Sequence, residues 1–331
     1  GLSHENPPPF AAAAGGGSGA GRLTRPAAGR APALAPLGER PDNPRPPRRR
    51  ATGAAGSVGA SSEPPVDYPL TAIISDLHSN AQAVDTAIKD ALERGVRRFV
   101  CLGDVIGYGA RPVLCLERVR ALVEADPAHV PGLVPGLCLL GNHEQALLEG
   151  AEDFNPRARA AIEWTHAELQ RDPDGARRWF DWIGALVPSA VDARAHFAHG
   201  SPRDPVREYV VPRDARDPVK LSALFRHMQR GVCFVGHSHI PAVYFQDQRF
   251  YRPRGTDGPY QLGDTATCKV LVNVGSVGQP RDRDPRLSYV LFDGECITFI
   301  RLEYDISAAQ DDILAIAGLP VELAERLASG V

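Results

Sequence analysis

Eight side chains able to bind a metal or move a proton fall at five points of the chain: Asp76 and His78, Asp104, Asn142 and His143, His199, and His237 and His239. They comprise two carboxylates, one amide and five imidazoles, with no thiolate. Oxygen and nitrogen donors of this kind suit Mn2+, Fe, Zn2+, Ni2+ or Co2+ rather than a soft-metal cluster. The set is too large for one four- to six-coordinate ion, so two ions are the economical reading. A pair about 3.5–4 Å apart activates water and clamps a phosphoryl group. Singly the motifs are weak. Asp-x-His arises by chance, Gly-Asp is an ordinary turn, and a lone buried histidine is more often structural than a ligand.

Their common placement is far more specific. Each group follows a short apolar run: residues 70–75, 98–102, 137–140, 195–198 and 232–235. A helix is expected after the first run, capped by Ser79 or Asn80, striped by Val84, Ile88, Ala91 and Leu92, and stopped by Gly95. Pro112 opens a second, with Leu116, Val119, Leu122 and Val123 as its stripe. Strand–helix–strand–helix–strand implies parallel pairing and right-handed crossovers. The carboxyl ends of the strands then lie along one edge of an α/β sheet, where ligands bind.

Residues 145–188 read as mainly helical, with Asn155-Pro156 as a start signal. All three tryptophans, Trp164, Trp179 and Trp182, fall there; they are expected to pack with one another, to wall the site, or both. A further strand spans 270–274, and 289–292 and 296–300 flank the hairpin signal Asp293-Gly294. Two short helices are expected over 306–329, with Gly318 and Gly330 as stops. His166 and His227 on helix-like stretches, His196 facing outward from its strand, and His4 and His129 in loops are set aside.

In order, Asp76-x-His78, Gly103-Asp104-Val105-Ile106-Gly107-Tyr108-Gly109, Gly141-Asn142-His143-Glu144, His199-Gly200 and Gly236-His237-Ser238-His239 resemble the signature of the calcineurin-like metallophosphoesterases. The resemblance spans about residues 70–305. It is closest to bacterial and archaeal phosphoesterases, which also resemble this chain in 161–165, in 273–282 and in Glu303-Tyr304-Asp305 with its helical tail. It implies a four-layer α/β/β/α sandwich of two mixed sheets. It implies that Asp76, His78 and His239 hold one metal, that Asn142, His199 and His237 hold another, and that Asp104 bridges them. His143 would contact the phosphate and protonate the leaving oxygen, while a metal-bridging hydroxide attacks phosphorus in line. The eukaryotic-type protein phosphatases carry Asp and Arg where this chain has Gly107 and Tyr108, which weakens that assignment and leaves open what orients His143. Glu144 replaces an Asp of many bacterial relatives; a structural hydrogen bond is its default role. Tyr108 and Arg281 are candidate substrate contacts, with a packed ring and a solvated guanidinium as the alternatives.

Composition sets the frame. The chain has 331 residues, 43% of them hydrophobic, and a net charge of −3. That excludes a generally basic nucleic-acid binder. No apolar run approaches the roughly 18–20 residues of a membrane span. Residues 1–66 contain 11 Gly, 12 Pro and 14 Ala and carry eight Arg against four acids. Such a segment cannot bury enough apolar surface to offset its chain entropy, so disorder is expected. A catalytic domain over 67–305, with the helical stretch inserted, and packed terminal helices over 306–331 complete the expected organisation. Arg48-Arg49-Arg50 before 51–60 faintly resembles a twin-arginine signal, but Val58 is the only large apolar residue there. Six scattered cysteines without a C-x-x-C pair favour a reducing cytoplasm.

The expected function is a dinuclear metal-dependent hydrolase of phosphodiesters or small nucleotide esters, with Mn2+ the first candidate metal. A phosphomonoesterase on phosphoprotein, a dinucleoside polyphosphate hydrolase, and a non-catalytic scaffold on the same fold are the alternatives. The expected partner is a small phosphoester, with no membrane and no stable nucleic acid. Removal of residues 1–66 is expected to leave folding and turnover unchanged. Circular dichroism and specific activity of a chain starting at Asp67 check this, and loss of either shows the segment to be structural.

Overall fold

The computed structural model describes residues 68–331 except residue 129. The expectations for residues 1–66, including His4 and the arginine run, and for His129 lie outside the described residues. The first half of the chain runs β1 (Thr71–Ile74), α1 (Ala81–Glu93), β2 (Arg98–Cys101), α2 (Pro112–Val123), β3 (Leu137–Cys138), α3 (Asn142–Glu149), α4 (Pro156–Leu169) and α5 (Pro173–Gly184). Then come β4 (Ser189–Val191), β5 (Ala195–Ala198), α6 (Pro218–His227), β6 (Val232–Val235), β7 (Ala242–Phe245), β8 (Phe250–Tyr251), β9 (Asp257–Gln261) and β10 (Val270–Asn273). The chain closes with β11 (Leu287–Phe292), β12 (Cys296–Leu302), α7 (Ile306–Leu314) and α8 (Glu322–Ser329).

Two six-stranded mixed sheets form, in the orders β3-β2-β1-β11-β12-β9 and β4-β5-β6-β10-β7-β8. Strands β1, β2 and β3 pair in parallel, as do β5, β6 and β10, while β11 runs antiparallel to β1. Strand alternation sorts side chains between layers. Ile73 turns inward to meet Phe197, Phe234 and Phe292 between the sheets, whereas Ala72 and Ile74 turn outward beneath α1 and α2. On the far side, Val235 and Tyr244 pack under α6 with Leu224 and Phe225. The result is the four-layer α/β/β/α sandwich.

Local signals act where they were expected. The Asn80 side chain caps α1 by accepting from the Ala83 N–H, and Asn155 caps α4 from the Ala158 N–H, with Pro156 at its start. Two expectations are corrected and a third is qualified. The third strand ends at Cys138, and Gly141-Asn142-His143-Glu144 opens a helix rather than closing a strand. His196 takes the face of β5 opposite Ala195 and Phe197, as alternation expects, but that face is covered: the ring is 1% exposed, beneath the Gln229 N–H. Helix α7 ends before Gly318, which instead lies against the Trp164 ring. The tryptophans do not wall the site. Trp179 packs edge-on to Trp182 at 6.3 Å within the outer core, and Trp164 packs among the C-terminal helices.

Candidate metal centre

The carboxyl ends of β1, β2, β5 and β6, with the start of α3, deliver the site. The turns there are held in a conformation that side chains disfavour. Seven non-glycine residues with positive φ lie at or beside the site: Asp76, His78, Ser79, Asp104, Tyr108, His237 and His239. Each such position costs roughly 1–2 kcal/mol, and strain of this kind persists where surrounding structure over-determines it. Here the determinants are hydrogen bonds between turns. The Leu77 and His78 N–H groups donate to the Asp104 carbonyl at 2.8 and 2.9 Å, and the Gly278 N–H donates to the Asp76 carbonyl at 2.9 Å. Asn273 donates from Nδ2 to the Gly236 carbonyl and to Ser238 Oγ, and Ser276 Oγ donates to the Asp76 carbonyl. The segment 273–279 therefore braces the ligand turns from behind.

All eight side chains singled out from the sequence come together. Asp76, His78 and His239 form one cluster and Asp104, His199 and His237 another, with the donor atoms of each within 4.8 Å of one another. Asn142 Oδ1 joins the second, 3.0 Å from His199 Nε2. Asp104 lies between them. Its Oδ2 is 3.8 Å from His78 Nε2 and 3.3 Å from His199 Nε2, and its Oδ1 accepts the His143 backbone N–H at 2.9 Å. Gly141 makes room for that carboxylate, since a Cβ there would sit 2.2 Å from Asp104 Oδ1.

The hydrogen bonds leave bare lone pairs pointing at one another. His78 Nδ1 faces the Ile106 carbonyl at 3.1 Å and His239 Nδ1 faces the Gln279 carbonyl at 2.5 Å. Each Nδ1 must therefore donate, which leaves both Nε2 atoms unprotonated, 3.1 Å apart. The buried Asp76 Oδ1 beside them finds no donor, 3.2 Å from His239 Nε2. In the second cluster His237 Nε2 faces the Arg207 carbonyl at 3.2 Å, so its Nδ1 is the bare atom, 3.1 Å from His199 Nε2. Converging lone pairs and an unpartnered buried carboxylate oxygen fit divalent cations and little else.

The protonation pattern says the same. Burial alone would raise the Asp76 carboxyl, but the imidazoles of His239 and His199 outweigh it and hold it well below the usual carboxylate range. Asp104 is likewise held down, against burial, by His199 and His143. Burial pushes His78 and His239 down and His237 down to about 3. His199 rises to about 9, because the attraction of Asp104 exceeds the cost of burial.

His143 is oriented without a carboxylate partner. Its ring packs edge-on against Tyr108, His78 and Phe154 at centroid distances of 4.6, 4.7 and 5.3 Å. Its buried Nδ1 has no hydrogen-bond partner and sits where a Cβ on Gly107 would fall, 2.1 Å away. Among the described residues the ring is thus positioned by packing. Burial, opposed by Asp104 and reinforced by Arg281, pushes His143 down to about 4.

Glu144 is a clamp. Its Oε2 accepts the Asp104 and Gly141 N–H groups at 2.8 and 3.0 Å, and its Oε1 those of Val105 and Ile106 at 2.8 and 3.1 Å. The carboxyl is fully buried and, through burial and the nearby Asp104 charge, rises to about 7. Glu144→Gln turns one accepting oxygen into a donor facing two N–H groups. A loss of about 2–5 kcal/mol in stability is expected, read as a lower urea midpoint of the metal-free protein. An unchanged midpoint shows that the turn holds without the clamp.

The two clusters open into a cleft of about 260 Å³ lined by Tyr108, His143, Phe154, Tyr209, Arg207 and Arg281, among others. Tyr108 and Arg281 are therefore both at the cleft. Sequence reasoning missed Phe154, Arg207 and Tyr209; Tyr209 is 47% exposed and stacks on His237 at 3.7 Å. The only signal for Arg207 and Tyr209 is that they lie in the loop following His199-Gly200.

Comparison with known proteins agrees with this architecture. Residues 70–295 match the calcineurin-like phosphoesterase superfamily domain. An uncharacterized protein of Methanocaldococcus jannaschii is 33% identical over 267 residues, covering 79% of this chain and 98% of its own. A crystal structure of a metallophosphoesterase from Sphaerobacter thermophilus is 34% identical, with a TM-score of 0.64 over 80% of this chain and 100% of that one. A hypothetical protein from Pyrococcus horikoshii, 18% identical, has the same fold, with a TM-score of 0.61 over 79% of this chain and 98% of that one.

Proposed function

Because the chain belongs to the calcineurin-like phosphoesterase superfamily, we propose that it is a dinuclear metal-dependent hydrolase of phosphodiesters or small nucleotide esters. The observation that carries this reading is the pair of lone-pair clusters meeting at Asp104. Asp76, His78 and His239 would hold one cation and Asn142, His199 and His237 the other, with Asp104 contributing to both. Mn2+ is the first candidate. Such ions supply Lewis acidity toward water and toward the phosphoryl oxygens. The protein's own groups do the rest. Arg281 and Tyr108 position the ester from the cleft wall, and His143 offers its ring to the leaving oxygen. Phe154 and the His78 and Tyr108 rings exclude water from the His143 side. No helix among the described residues is long and apolar enough to cross a membrane.

Elemental analysis and a Mn2+ substrate panel test the reading together. Two ions per chain and turnover of diesters are expected. One ion per chain removes the dinuclear assignment. Two ions with monoesters or phosphopeptides turned over much faster replace the substrate class. Two ions with no turnover of any ester point to a scaffold.

A further inference from the structure

Beside the metal cleft lies a second, larger cavity of about 840 Å³, walled by Pro156, Arg157, Leu323, Arg326 and Ser329. It shares Tyr108 and Asn155 with the cleft as common walls, so the two are adjacent spaces. The Tyr108 ring receives two guanidinium groups. Arg281, from the cleft, lies 5.6 Å from its centroid, and Arg326, from α8 in the second cavity, lies 5.8 Å away.

Neither arginine has an Asp or Glu partner among the described residues. Arg281 donates from Nη2 to Gln279 Oε1, and its buried Nε has no partner. Arg326 donates from Nε to the main-chain oxygen of Val331 at 2.6 Å, which leaves its two Nη groups toward Tyr108 without an acidic side chain. Two acids also line the second cavity. Glu322 is engaged by Arg157 at 3.2 Å, and Glu325 is exposed. The end of the cavity against Tyr108 is therefore the cationic one. Burial, then the nearby Arg281 guanidinium, lowers Arg326 to about 10.

We propose that Arg326, with Arg157 behind it, forms an anion subsite beside the metal centre, and that the substrate is a phosphoester carrying a second phosphoryl group. The scissile phosphate sits in the cleft under Arg281, the body of the substrate passes Tyr108 and Asn155, and the second phosphate reaches Arg326. Planar guanidinium forks suit phosphate oxygens. This rests on the phosphoesterase reading, and it narrows that reading to doubly phosphorylated substrates.

The test pairs two chromogenic esters, thymidine 5′-(p-nitrophenyl phosphate) with and without a 3′-phosphate. Calorimetry with thymidine 3′,5′-bisphosphate and thymidine 5′-monophosphate on the Mn2+-loaded full chain runs beside it. The wild type is expected to favour the doubly phosphorylated member of each pair by about tenfold or more, as a charge-assisted contact implies. Arg326→Gln should remove most of that preference, and Arg326→Lys should restore part of it. Arg157→Ala should reduce it less. No preference in the wild type, or an equal fall for both members in Arg326→Gln, overturns the subsite. If Arg326→Gln misfolds, the wild-type and Arg157→Ala comparisons still decide. The two readings fail separately. Bisphosphate preference in calorimetry without hydrolysis sinks the enzymatic reading alone, and hydrolysis without preference sinks the subsite alone.

Discussion

Asp104→Asn is expected to lower the content of both cations and to cut phosphoester hydrolysis by more than about a hundredfold, the loss that even indirect partners of a metal site can cause. The geometry explains why one residue affects two sites. Asp104 Oδ1 is fixed by the His143 N–H, so an asparagine would keep its oxygen there. Its amide nitrogen would then replace Oδ2 and aim two N–H groups where His78 Nε2 and His199 Nε2 converge. A shared negative charge is lost and a donor takes its place. His237→Ala, touching only the second cluster, should mainly empty that one. Elemental analysis reads both outcomes. A second measurement is independent of turnover. Chelation should lower the Tm of the wild type, because ions that bind only the folded state stabilise it by mass action. Asp104→Asn should show little of that shift. Full occupancy in Asp104→Asn would mean that the two clusters do not share this carboxylate.

His143→Gln is expected to keep its cations and lose about 10²–10⁴-fold on alkyl or nucleoside esters. The loss should be distinctly smaller on p-nitrophenyl esters, whose leaving group needs little protonation. Two observations pull in opposite directions here. The ring lines the cleft and is held rigidly by Tyr108 and Phe154, as a proton donor requires. Burial nevertheless holds it near 4 in the free protein, so at neutral pH the ring is neutral until a phosphate's charge is beside it. Leaving-group dependence separates the roles. Equal losses on both ester types would make His143 a phosphate contact, and loss of metal would make it a ligand.

The convergence of the candidate ligands was legible because their chemistry and their topology coincide. Asp76, Asp104, His199 and His237 each follow an apolar run, and parallel strands bring such ends to one edge. What sequence did not disclose depends on contacts with backbone or across long intervals. Glu144 makes the structural hydrogen bonds expected of it, but its four N–H partners, which belong to other residues' turns, were not legible. The approach of Arg326 to Tyr108 joins a C-terminal helix to a loop far upstream. Strands β4, β8 and β9 are short or polar; β9 contains Pro259 and is largely exposed, so no hydrophobic alternation marks it. His196 alternates outward as expected, but the strand is covered on both sides, so alternation did not tell that its outer face is buried.

The strand order of the first sheet bears on how the protein is made. Thr71 pairs on one side with Arg98, close in sequence, and on the other with Phe292. A ribosome adding about 5–20 residues per second needs on the order of ten seconds or more to deliver β11 after β1 has emerged. Throughout that interval the inner edge of β1 stays unpaired, with the apolar face bearing Ile73 uncovered, a surface prone to mispairing. Long-range closure of this kind is slow. Chains interrupted before β11 should therefore be insoluble or chaperone-bound rather than small folded fragments, although they already carry every metal-ligand candidate.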